Sequence, residues 1–385
     1  MDTPKKVHQH GLLALHGGAA RVRQLLCREL PHLGWSVSSS CEIMDLSGDE
    51  TIEDTGVGAD LKQSSPTALG QAASASRICH LHSTADWQAA CTSLAAQMSC
   101  LPLVVTLHDA SLLDGSLLSE DTATCPVLAP GLCSERSDLF SQCGHTKGPV
   151  SSSLQALLRL RPCLISPSAW LARRLRETVG EKCRIIPNGV EPNLHDRKMA
   201  RERLGLAPAA KMLLFAAHGG LLAQLKGAAR WLEIWSKIKT AVPEAICFMI
   251  GGENLRHGPD FVEWPYVGRE KMALLMAAAD LLVYPSLADN HPLVVLEAMS
   301  AATAVSAYAV GGIPEQLRPG ETGLLAPAGD EAALVSNSVR LLTAPDLLRK
   351  MGWAGHELWR RHFQAAQMAA AYSRLYEHCV QGAAS

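Results

Sequence analysis

The chain has 385 residues, of which 48% are hydrophobic and 19% charged. At roughly 100–200 residues per domain this suggests two domains with full apolar cores, which excludes a globally disordered chain. The 35 Lys and Arg against 37 Asp and Glu exclude the basic excess of a dedicated nucleic-acid binder.

In chain order, residues 11–15 predict a strand that runs into His16-Gly17-Gly18-Ala19-Ala20 and a helix to about Leu33. Residues 35–39 are the next strand. Seven acidic side chains and only Lys62 lie between Glu42 and Lys62, so 41–76 reads as a solvated, partly disordered insertion. A strand follows at 77–82, a helix at 86–98 and a buried strand at 103–107. Residues 109–150 form a second irregular stretch holding Cys125, Cys133 and Cys143. Residues 154–160 are helical, 163–166 a strand, and Ser168 caps a helix to about Thr178. After a short strand at 184–186, the turn-rich Pro187-Asn188-Gly189-Val190-Glu191-Pro192 is the expected interdomain linker.

The second half alternates more regularly. Strands are expected at 211–217, 246–250, 281–284 and 304–307, with helices at 226–242, 271–278 and 292–301 between them. Helical segments from 331 to about 380 close the chain. Short apolar strands separated by helices imply βαβ units and parallel sheets. The expected fold class is α/β, with two doubly wound domains facing each other across a cleft.

No C-x-x-C pair occurs among the twelve cysteines, so most read as reduced small hydrophobes. The N-terminal MDTPKKVHQH lacks the apolar stretch of a signal peptide, and no uncharged apolar run reaches the ~18 residues of a membrane span. The expectation is a cytoplasmic protein, with peripheral contact at the inner membrane face left open.

Ligands of open α/β sheets bind beyond the carboxyl ends of the strands, so polar groups at strand-to-helix junctions carry the functional reading. Tyr284-Pro285-Ser286-Leu287-Ala288-Asp289-Asn290-His291-Pro292-Leu293-Val294-Val295-Leu296-Glu297 is the richest such junction. Pro292 suits the first helical position, with Asn290 or His291 as N-cap. The free amides at Leu293 and Val294 suit a phosphate. Glu297, on their face of the helix, can accept two hydrogen bonds from a ribose diol, and Asp289 can hold a sugar hydroxyl. An ordinary capped helix with a solvated Glu explains the same residues without a ligand.

Asp289 and Glu297 are separated by seven residues. This spacing resembles the acidic signature of family 4 of the retaining glycosyltransferases, in the branch with Asp-Asn-x-Pro where most members have Glu. Ala309-Val310-Gly311-Gly312-Ile313-Pro314-Glu315, Gly320-Glu321-Thr322-Gly323-Leu324-Leu325 and Ile186-Pro187-Asn188-Gly189-Val190 are similar to the family as well. The resemblance is strong from about 160 to 365 and looser before that.

It implies a GT-B fold of two Rossmann-like domains. An acceptor-side domain is expected at 1–187, a nucleotide-sugar-binding domain at 188–365, and a last helix at 366–385 crossing back to the first. The implied activity is hexosyl transfer from a nucleotide-diphosphate sugar to a sugar or lipid-linked sugar hydroxyl, in polysaccharide or glycoconjugate synthesis. The configuration would be retained and neither metal nor other cofactor used. Lys226 would neutralise the diphosphate; the Arg that many relatives carry just upstream is missing from 217–225. Gly17 and Gly18 resemble the family's N-terminal glycine loop. His108, in Thr106-Leu107-His108-Asp109, would lie near donor sugar and acceptor. Val267 lies where the family places the nucleobase, after Gly251-Gly252-Glu253, held largely by backbone, so the base is not readable. His80 and His82 share one strand face and read as packing or cleft-wall residues. An epimerase on the same fold and a non-catalytic nucleotide-sugar binder remain as alternatives.

Overall fold

The computed structural model describes residues 5–45, 61–97, 101–113, 150–207, 209–216, 226–252 and 255–382. The chain divides into two compact units, Met1–Asn188 with Ala365–Ser385, and Gly189–Gln364.

In the first unit the strands are β1 (Lys6–Leu13), β2 (Ser36–Ile43), β3 (Leu61–Gln63), β4 (Ile78–Leu81), β5 (Leu103–Thr106), β6 (Cys163–Ser166) and β7 (Arg184–Ile185). They form one sheet, ordered β3-β2-β1-β4-β5-β6-β7, and every pairing is parallel. The helices are α1 (Gly18–Glu29), α2 (Leu69–Ala73), α3 (Trp87–Gln97), α4 (Ser152–Arg159) and α5 (Ala169–Val179). Strands β4 and β5 are buried at every position, as parallel strands covered on both faces are. Ser151 and Ser168 cap α4 and α5 by accepting from the amides of Leu154 and Leu171.

The second unit runs α6 (Arg197–Arg203), β8 (Lys211–Ala216), α7 (Ala228–Ala241), β9 (Ala245–Ile250), β10 (Arg256–His257), β11 (Phe261–Trp264), α8 (Arg269–Ala278), β12 (Leu281–Tyr284), α9 (Leu293–Ser300), β13 (Ala304–Tyr308), α10 (Ile313–Gln316), β14 (Leu324–Ala326), α11 (Glu331–Thr343) and α12 (Pro345–His362). Its sheet order is β10-β11-β9-β8-β12-β13-β14, with only the edge pair β10–β11 antiparallel. The last helix, α13 (Ala365–Gly382), belongs to the first unit and buries Tyr372 and Tyr376 there.

Both units are therefore Rossmann-like doubly wound sheets. Strand order reverses between β1 and β4 in one and between β8 and β12 in the other. Crossovers leave those points on opposite faces, so each opens a crevice at its strand carboxyl ends.

Three expectations are corrected. The first strand starts at Lys6, not Gly11. His8, Gln9 and His10 look polar in sequence but are buried and hydrogen-bonded, which hides the strand from a hydropathy reading. The insertion read at 41–76 is shorter: β2 continues to Ile43, and Leu61–Gln63 pairs with Ser39–Cys41 as an edge strand before α2. Residues 46–60 lie outside the described residues, as do 114–149 with Cys125, Cys133 and Cys143. Finally, α9 begins at Leu293, with Pro292 itself in the cap position at φ −61° and ψ 128°. Among the described residues all eight cysteines are free thiols, five of them buried. No described helix is long and apolar enough to cross a membrane.

Candidate functional site

In the second unit the expected residues gather on one edge of the sheet. Lys226 follows β8, Asp289 follows β12 and Val267 follows β11; these strands are parallel, so their ends share an edge. Val267 lies three strands from β12, about 14 Å at ~4.8 Å per strand. Residues 217–225, where the upstream Arg is missing, are outside the described set, but the turn at Lys226-Gly227 is placed. Gly227 has φ +87°, and a Cβ there would sit 2.5 Å from the Pro285 carbonyl oxygen. Only glycine fits that approach. It presses the half-buried Lys226 turn against the start of the loop that carries Asp289. The helix expected from Lys226 starts two residues later, at Ala228, because Gly227 is its left-handed N-cap.

The Asp289 loop is fixed from both sides. The Tyr284 hydroxyl donates to Asp289 Oδ2 at 2.6 Å, and Oδ1 accepts from the Asn290 amide at 2.8 Å. Burial, and then the Asp289 charge, push the Tyr284 hydroxyl well above its usual range, so it stays a donor. Gly311, at φ +54°, passes so close that a Cβ would lie 1.7 Å from the Asp289 carbonyl oxygen. Gly311 thus has a physical reason that sequence reading lacked. Leu293, Val294 and Glu297 are half-buried in the first two turns of α9, whose opening amides have no intrahelical acceptor. His291 is buried and its Nδ1 accepts at 3.1 Å from Gln316 Nε2, which also donates to the Pro292 carbonyl and pins the helix start.

In the first unit Gly17 and Gly18 are exposed at the end of β1, with open space around both Cα atoms. Gly17 is the N-cap of α1 at φ +89°. Beside them Asp45 accepts from the amides of Leu15 and His16 and from the His16 ring, at 2.7–2.8 Å. His108, half-buried at the end of β5, meets His82 Nδ1 through its Nε2 at 3.0 Å, with the rings stacked. Burial pushes the His108 ring down to about 4, against the pull of Asp109. Sequence reading took His82 as a packing or cleft-wall residue; its bond to His108 follows from β4 and β5 being neighbours.

Two family descriptions match the chain: "Glycosyltransferase Family 4" over residues 16–194 and "Glycosyl transferases group 1" over 212–344. Together they cover most of its length. The chain belongs to the family 4 glycosyltransferases. Among curated relatives it is 24% identical over 318 residues to N-acetyl-alpha-D-glucosaminyl L-malate synthase of Bacillus anthracis, covering 78% of this chain and 74% of that one. It is 32% identical over 228 residues to the D-inositol 3-phosphate glycosyltransferase of Streptomyces coelicolor, covering 52% and 48%. With the corresponding enzyme of Segniliparus rotundus the match spans 42% of the relative. This family member also shares its fold with sucrose-phosphate synthase from Thermosynechococcus elongatus, at TM-score 0.72, 20% identity and coverage of 99% and 100%. Anabaena HepE, solved with UDP and glucose, aligns at TM-score 0.68 and 14% identity over 97% and 99%.

Proposed function

We propose that the chain is a retaining glycosyltransferase. It moves a hexosyl group from a nucleotide-diphosphate sugar to a sugar or lipid-linked sugar hydroxyl, without a divalent metal. One observation carries the reading: Gly227 and Gly311 lock the Lys226 turn and the Asp289 loop at the strand ends flanking the switch point, with the α9 amides and Glu297 following.

Breaking the bond from anomeric carbon to phosphate oxygen leaves positive charge on the sugar and negative charge on the diphosphate. The Lys226 ammonium and the Leu293 and Val294 amides answer the negative charge. Glu297 accepts from the ribose diol and Asp289 from a sugar hydroxyl. Backbone near Val267 takes the base; in the first unit, by itself, Gly17 and Gly18 offer amides to an anion and His108 a ring nitrogen to a sugar hydroxyl. Supporting the donor class, Anabaena HepE, which shares this fold, has been solved with UDP and with UDP-glucose.

The test is a titration of UDP, GDP and ADP and their glucose conjugates, followed by hydrolysis and transfer assays. Lys226→Ala should lower turnover by roughly 10²–10³-fold, and Glu297→Ala should weaken donor binding. Intact turnover in both variants refutes the assignment. Binding with neither hydrolysis nor transfer favours a non-catalytic binder.

A further inference from the structure

A chain of buried hydrogen bonds runs through the first unit to His108. Gln9 Nε2 donates to the Tyr376 hydroxyl at 3.0 Å, and Gln9 Oε1 faces His82 Nε2 at 2.8 Å. His82 Nδ1 faces His108 Nε2 at 3.0 Å. Tyr376 also meets His80 Nδ1 at 2.6 Å, and His80 Nε2 meets the Thr106 hydroxyl at 2.8 Å, which contacts the Tyr372 hydroxyl at 2.8 Å. Tyr372 and Tyr376 both come from α13, and Gln9, His80, His82 and Thr106 are buried.

We infer that His82 and Gln9 are positioning residues that set the tautomer of His108, with the Tyr376 hydroxyl of α13 holding the Gln9 amide by accepting from its Nε2. This rests on the role of His108 proposed above. A neutral imidazole has one N–H and one acceptor nitrogen. The Gln9 oxygen can only accept, so His82 Nε2 carries the proton. His82 Nδ1 is then an acceptor, and His108 must bring its proton to Nε2. The lone pair of His108 is therefore on Nδ1. The other branch agrees: with Gln9 donating to it, the Tyr376 O–H turns to His80 Nδ1, and His80 Nε2–H donates to Thr106. Burial holds His80 and His82 well below their usual range, so both rings are neutral near pH 7. A wrong tautomer removes an acceptor without moving a heavy atom, and on that ground a positioning residue affects turnover.

The experiment is nitrogen NMR of the full-length protein labelled at its histidine rings, with His108 assigned by difference against His108→Ala. His108 protonated at Nε2 in the wild type, and a mixed population in His82→Leu and Tyr376→Phe, is the expected result. Donor turnover in both variants should fall roughly 10–100-fold with donor KM within about twofold. His82→Asn, which keeps an acceptor oxygen, should recover part of it. Tyr376→Phe keeps the ring and serves if His82→Leu does not fold. His108 protonated at Nδ1 in the wild type, or a population unchanged in both variants, overturns the relay. Turnover surviving His108→Ala overturns instead the reading of the site, and with it the catalytic consequence of the relay.

Discussion

Gly311→Ala separates a backbone requirement from a contact requirement at the Asp289 loop. At φ +54° a Cβ-bearing residue is left-handed, a conformation that costs about 1–2 kcal/mol. The added Cβ would also lie 1.7 Å from the Asp289 carbonyl oxygen and 2.9 Å from its carbon. An ordinary carbon-to-oxygen contact needs roughly 3.3–3.6 Å, so the loop must withdraw by more than about 1.5 Å. Overpacking of that kind adds about 1–3 kcal/mol. The sum, ~2–5 kcal/mol, lowers the melting temperature of a unit this size by roughly 4–20 °C. A displacement above 1 Å at a substrate-holding carboxylate should also reduce kcat/KM by about 10²-fold. Gly320 is the control: φ is +82° but nothing lies within 4 Å of its Cβ position. Gly320→Ala therefore carries the conformational cost alone, roughly 2–8 °C, with kcat/KM unchanged. Calorimetry and a donor-hydrolysis assay on both variants decide the matter. Equal melting shifts and equal activities would refute the claim that Gly311 holds Asp289 in place.

Gly227→Ala, whose Cβ would press 2.5 Å from the Pro285 carbonyl oxygen, should displace the Lys226 turn; donor kcat/KM is expected to drop about 10²-fold, and a normal value would contradict the packing argument. Burial pushes His8 and His291 down to about 3 and His108 to about 4 from 6.5, so these rings bind protons in the unfolded chain before they do in the fold. The stability they contribute is fully present above pH 6.5 and is lost as pH falls toward 3; urea midpoints should fall between pH 7.5 and 5, and a flat profile would contradict the burial of these histidines. Because Lys226 and helix amides are assigned to the diphosphate, turnover should survive a chelator and gain nothing from added magnesium or manganese, measured by nucleotide release.

Hydropathy alone made much of the fold legible. The runs Leu103–Thr106, Cys163–Ser166 and Leu281–Tyr284 are nearly wholly apolar, and such segments become central parallel strands wherever they fall in the sheet. The Asp289–Glu297 spacing was equally readable, since a loop, a proline and one helix fix it by local geometry. Where a polar side chain was buried, the local signal misled: Lys6–Leu13 reads as half a strand because its histidines and glutamine have partners 30 or more residues away.

Local sequence therefore determined which segments are strands and helices, and that Asp289 and Glu297 fall in the loop and the helix that follow β12. Tertiary structure decided the rest. It set the tight approaches of Gly227 to Pro285 and Gly311 to Asp289, the Tyr284 bond that holds Asp289, and the meeting of His82 with His108. The reason is that sheet order, not chain order, decides which strand ends are neighbours, and a hydrogen bond between adjacent strands leaves no periodic mark on either.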